Sequence, residues 1–171
     1  MRRTFETAGL LALAAVALLG SSCGFHLRGE TSLPEWLKSA FVVSDVRYNE
    51  VADELRRALR TAGISIPERA EQADVTIRIL GERSARRVLS VGSDGRPSEY
   101  ELDYRLNYGV YDAGGKVILP PATVTQARTY TFNEVDVLGK STERDELWQE
   151  LRRRAVVALM NRLRYGRPLR R

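Results

Sequence analysis

One cysteine and one histidine occur in this 171-residue chain, and they stand three residues apart, as Cys23 and His26 in the stretch LGSSCGFHLRG at 19–29. A thiol beside an imidazole is the raw material of a nucleophile and base pair or of half a metal site. A metal cluster needs further soft ligands, and a Ser-His-Asp triad needs its histidine within the folded domain. This chain offers no second histidine or thiol, and His26 lies only three residues past Cys23. The remaining candidates for acid–base work are Glu99, Glu101 and Asp103, which share one face at strand spacing. With Arg105 next in that series, they read as a solvated sheet face. The competing reading, a hydrolase built on carboxylates, requires activity that vanishes when one of them becomes Ala. Gly114 and Gly115 belong to a hairpin turn and not to a phosphate-cradling loop. The chain is therefore read as a non-enzyme with no cofactor and no metal.

The residues before Cys23 suggest chemistry done to the protein. Arg2 and Arg3 lead into LLALAAVALL at 10–19, followed by the small residues Gly20, Ser21 and Ser22. That run is well short of the roughly 20 residues a membrane-spanning helix needs, and the layout is that of a secretory signal, 1–22, removed on export. The small residues running directly into cysteine resemble the bacterial lipobox, with Gly20 where Leu is usual and Leu19 one place earlier. The resemblance implies cleavage before Cys23, a diacylglyceryl group on its sulfur and a fatty acyl group on its new amino terminus. The alternatives are a buried free thiol or half of a disulfide. A lone cysteine cannot pair within its own chain, and an odd thiol in an exported protein needs explaining. Each buried methylene contributes roughly 0.8 kcal/mol, so two or three acyl chains anchor a protein durably. Gly24 stands where Asp would favour the inner membrane in such lipoproteins, which implies the outer membrane.

Removing 22 of 171 residues leaves 149, enough for one domain with a real core. The signal carries +1 of the formal +5, and the excess is uneven: residues 150–171 hold eight Arg against one acid. Such a run either attracts phosphate-rich partners or is a solvated helix face. Nucleic acid is set aside for an exported chain.

Residues 24–39, with Pro34 and Trp36 and no sustained period, read as a tether from the anchor at 23. A strand is expected over 40–46. Asn49 can cap a helix whose apolar positions Val51, Leu55, Leu59 and Ala62 recur at helical spacing until Gly63. Val75, Ile77 and Ile79 begin a second strand that runs less cleanly to the turn at Ser93, Asp94 and Gly95. The clearest alternation follows: Tyr100, Leu102, Tyr104, Leu106, Tyr108 and Val110 on one face, acids and Arg105 on the other, as in a sheet wet on one side. The stripe of Tyr100, Tyr104 and Tyr108 reads as core. After Gly114 and Gly115 a fourth strand, 117–132, is interrupted by Pro120 and Pro121 and is assigned to an edge or a break. A last helix is expected from Ser141 or Thr142, with Trp148, Leu151, Ala155, Leu159 and Leu163 as its stripe and Gly166 and Pro168 as its stop. The order β-α-β-β-β-α predicts an α+β fold, two helices on one face of a four-stranded mixed sheet, as a single domain over 40–166 with a basic tail at 167–171.

CGFHLRG at 23–29, SDGRPSEYEL at 93–102 and RTYTFNEVDVLGK at 128–140 together resemble the LptE (formerly RlpB) family of outer-membrane lipoproteins, as does the order of elements between them. The resemblance implies the same α+β architecture and a partner, the LptD β-barrel, into which such proteins insert as plug and assembly partner. It also implies binding of lipopolysaccharide on its way to the cell surface. A charged sheet face suits the wet lumen of a large barrel and not a bilayer, and lipid A phosphates need fixed cationic donors. A basic residue ahead of the last helix is implicated in lipopolysaccharide binding in the family, and Lys140 matches it. The alternative for Lys140 is an exposed loop lysine among Asp136, Glu143 and Asp145. The family's second position falls at Ser93, where the basic side chain of this chain is Arg96, three residues on. A lipoprotein that binds or scaffolds another envelope component is the competing functional reading.

Overall fold

The computed structural model describes residues 33–46, 49–131 and 137–169, without the side chains of 137–142. Contacts divide the chain into two units, 1–31 and 32–171, and every described residue lies in the second. Strand β1 (Ala40–Ser44) is followed by helix α1 (Glu50–Thr61), a single 3-10 turn (Ala70–Gln72), and strands β2 (Val75–Val91), β3 (Pro97–Asp112) and β4 (Val117–Thr131). Helix α2 (Val137–Tyr165) closes the chain.

The sheet order is β1-β2-β3-β4. β1 runs parallel to β2, from Ala40 opposite Val75 to Ser44 opposite Ile79, and the other two pairings are antiparallel. The fold class is thus the one expected from the element order, a mixed four-stranded sheet with two helices.

α1 forms where its signals stand. The Asn49 side-chain oxygen accepts from the Ala52 amide at 3.0 Å, satisfying one of the orphan donors of the first turn. At the other end the Ile64 amide donates to the Leu59 carbonyl and the Gly63 amide to that of Arg60, both at 3.0 Å. This pair of bonds needs a residue with positive φ after the helix, and Gly63 supplies it at 81°. Val51, Ala52, Leu55 and Leu59 are buried.

The alternating residues of β3 behave as their period demands. Leu102, Tyr104, Leu106, Tyr108 and Val110 are fully buried, beneath Leu151, Ala155, Leu159 and Leu163 of α2 and beside Ile77 and Ile79 of β2. Trp148, the outermost member of the α2 stripe, is partly buried against the same cluster. Pro120 and Pro121 do not end β4. Tyr108 pairs with Ala122 and Val110 with Leu119, so two β4 residues face one of β3. That is a bulge on an edge strand, where proline's missing donor costs no ladder bond.

Two expectations are corrected. α2 starts at Val137, four residues before Ser141, so Ser141 and Thr142 lie within the helix and do not cap it. Nothing in 137–140 breaks a helix except Gly139, whose cost of about 1 kcal/mol a 29-residue helix absorbs. The packed body also begins before residue 40: Leu37, within the stretch read as tether, is 1% exposed, and Leu33 and Trp36 pack beside it. Three apolar side chains without a period are invisible to periodicity but fill the end of the core.

Candidate binding faces and anchor

The helix-covered face and the open face of the sheet carry different chemistry. On the covered face, Tyr104 and Tyr108 are wholly inside, as the core reading of the tyrosine stripe expected. Burial, and next the Glu82 carboxylate, push the Tyr104 phenol far above its ordinary pKa. Burial also raises the Tyr108 phenol, opposed by the Arg162 guanidinium. Both phenols are held neutral, and the Tyr108 hydroxyl has no hydrogen-bond partner among the described residues. Arg152 of α2 reaches both Glu50 of α1 and, at 3.6 Å, Glu82 of β2. One partly buried guanidinium thereby joins three elements.

Toward the far end of this face Tyr100 stacks on Tyr130 of β4, ring centroids 5.6 Å apart at 21°. The Arg86 guanidinium lies 4.5 Å above the Tyr100 ring, within cation–π range. Tyr100 is thus core only in part. No local sequence signal marks Arg86; the register of β2 brings it beside Leu102 and over Tyr100.

On the open face the carboxylates are engaged. Arg87 pairs with Glu101 and, at 3.6 Å, with Asp103, and the Ser90 hydroxyl donates to Glu99 at 2.9 Å. This is a solvated ion-pair face, as read from the spacing. Among the described residues, no group of three His, Cys, Asp or Glu side chains is placed to hold a metal ion.

The three sequence-nominated residues fare differently. Cys23 lies outside the described residues, as does its neighbour His26. Arg96 is exposed in the β2–β3 turn, which is fastened by the Gly92 amide donating to the Arg96 carbonyl at 2.7 Å, by Gly95 at φ 78°, and by the Arg96 amide donating to Asp94 Oδ1 at 3.1 Å. Lys140 falls in the first turn of α2 and not in a loop ahead of it; its side chain lies outside the described residues. The topology nonetheless relates the two. β4 ends at Thr131 opposite Glu99, three residues from Arg96. The C-terminal end of α2 meets the beginning of β4, where the Leu169 amide donates to the Ile118 carbonyl at 2.9 Å. α2 therefore runs antiparallel to β4, and its first turn belongs to the end of the sheet that carries Arg96.

Two helices over one face of a mixed sheet, with the other face open and polar, define a two-layer α+β domain. Residues 38–163 match the family described as LptE: Lipopolysaccharide-assembly, and the chain belongs to that family. It is 31% identical over 154 residues to the LPS-assembly lipoprotein LptE of Pectobacterium atrosepticum, covering 90% of this chain and 83% of that protein. Its fold is similar to the solution structure of an uncharacterized lipoprotein B from Nitrosomonas europaea, with a TM-score of 0.71 and 24% identity over 82% of this chain and 90% of that one. It is also similar to the rare lipoprotein B of Shewanella oneidensis, with a TM-score of 0.61 and 26% identity over 73% and 89%.

Proposed function

We propose that the protein is a lipid-anchored outer-membrane lipoprotein that pairs with an LptD-like β-barrel as plug and assembly partner, and that it binds the lipopolysaccharide this assembly carries to the surface. The observation that carries this reading is the open face of β2, β3 and β4: a long, polar, ion-paired sheet face with no covering layer among the described residues. Such a surface is unsuited to lipid and suited to a water-filled barrel lumen. Membership of a lipopolysaccharide-assembly family supports the choice of partner. Acylation of Cys23 would hold the protein at the inner leaflet of the outer membrane, on the periplasmic side and within reach of the lumen. Lys140 and Arg96, assigned to one end of the sheet, are the residues proposed to meet lipid A phosphates. No catalysis and no cofactor are assigned beyond the covalent lipid proposed on Cys23.

The test is affinity purification of the tagged full-length protein from detergent-extracted outer membranes, with intact-mass analysis of its mature N-terminus. Recovery of a large β-barrel in equal amounts, with acyl mass on Cys23, is the expected result. Recovery of the acylated protein alone would favour a lipoprotein serving another envelope component, and depletion that leaves lipopolysaccharide reaching the surface would do the same.

A further inference from the structure

The strand register sets one pair of charges on the open face against each other. Arg83 of β2 lies directly opposite Arg105 of β3, and both are exposed. Directly opposed side chains of an antiparallel pair have Cβ atoms about 4.5–5.5 Å apart, and like charges there destabilise the sheet. Neighbouring polar groups on the face are satisfied: Arg87 by Glu101 and Asp103, Asn107 by the Thr123 hydroxyl at 2.7 Å. Neither the Arg83 nor the Arg105 side chain has an ion-pair or hydrogen-bond partner among the described residues. Two guanidinium forks side by side, unanswered within the domain, are a ready site for carboxylates presented from outside.

We propose that Arg83 and Arg105 form a docking contact through which the open sheet face meets carboxylates on a protein wall. The inference rests on the barrel reading above and names the face and the charge pair that would touch the lumen. The surroundings favour a protein over a lipid headgroup. Glu101 and Asp103, paired with Arg87, stand on the same face, so it carries both signs where a polyanionic headgroup calls for one, and Ala127, Thr125 and Thr129 of β4 offer no groove for acyl chains. A mosaic of both signs on a flat face complements another protein's mosaic. The repulsion that weakens the free sheet is relieved when the wall's carboxylates arrive, so docking is favoured by what folding alone leaves unbalanced.

The test uses three variants of the full-length protein: Arg83→Glu, Arg105→Glu and the double change. Each single change sets a carboxylate opposite a guanidinium, so thermal melts of the isolated protein are expected to rise by about 2–4 °C. The double change restores a like-charge pair and is expected to melt near the wild type. Co-purification with the barrel from detergent-extracted outer membranes should follow a different order: each single variant recovers about tenfold less barrel than the wild type, and the double variant least of all. A double variant that brings down the barrel at wild-type stoichiometry overturns the proposal. So does one that keeps the barrel but loses bound lipopolysaccharide, since the pair would then serve lipid. A wild-type protein recovered with no barrel overturns the reading on which the proposal rests, an outcome distinct from either.

Discussion

Tyr108 shows how a single side chain can be core by position and costly by chemistry. Its ring fills the space under α2, while its hydroxyl is buried without a partner among the described residues. An unpaired buried hydroxyl costs about 1–3 kcal/mol that the phenylalanine ring does not. Tyr108→Phe is therefore expected to leave stability unchanged or raise it by about 1 kcal/mol, measured by urea denaturation. The raised pKa of Tyr104 and Tyr108 also fixes a sign. Unfolded tyrosine titrates near 10, and the folded state holds both phenols protonated above that. Their contribution is fully present below about pH 10 and is lost as pH rises beyond it. Melts between pH 8 and 11 should show an alkaline fall in Tm that is smaller in the double Phe variant; an equal fall would show that other groups govern alkaline unfolding.

Among the elements, α1 carries its instructions in its own ends. Asn49→Ala removes the acceptor bonded to Ala52 and should cost about 1 kcal/mol, whereas Asn49→Asp keeps the acceptor and adds negative charge at the helix start. Chemical denaturation of the two variants checks this, with Asp expected at or above the wild type. α2 is the contrary case. Ser141 and Thr142 are good capping residues by type, yet the helix runs through them from Val137, because a cap residue specifies a start only where the chain before it leaves the helix. β2 is intermediate: its apolar alternation through Val75, Ile77 and Ile79 is plain, but the register shift between Ile79 and Gly81 changes which residues share the covered face. The pairing of Arg86 with Leu102, and of Arg83 with Arg105, follows from that shift and is not written in the alternation.

For the whole molecule, the covered face supplies stability, and the proposed function rests on the open face and on the proposed anchor. These separate experimentally. Cys23→Ala is expected to release the protein from outer-membrane fractions on cell fractionation without altering the Tm of the domain, because Cys23 precedes the packed unit of 32–171. Changing Lys140 and Arg96 together to Ala should lower lipopolysaccharide recovered with the purified complex while the amount of barrel stays constant. A loss of both together would place these residues at the barrel interface instead.

The sequence by itself determined the element order, the buried stripe of β3, both ends of α1 and the place of the chain in its family. The first three rest on local chemistry, a period of two or 3.6, a cap, a glycine with positive φ; the family rests on the resemblance of the stretches at 23–29, 93–102 and 128–140. Only the tertiary structure decided that Leu37 belongs to the core, that Pro120 and Pro121 form a bulge without ending β4, and that Arg83 faces Arg105. Those facts depend on register and packing between residues distant in the chain. A one-residue bulge changes which neighbours meet while leaving the composition and nearly all of the local pattern as they were.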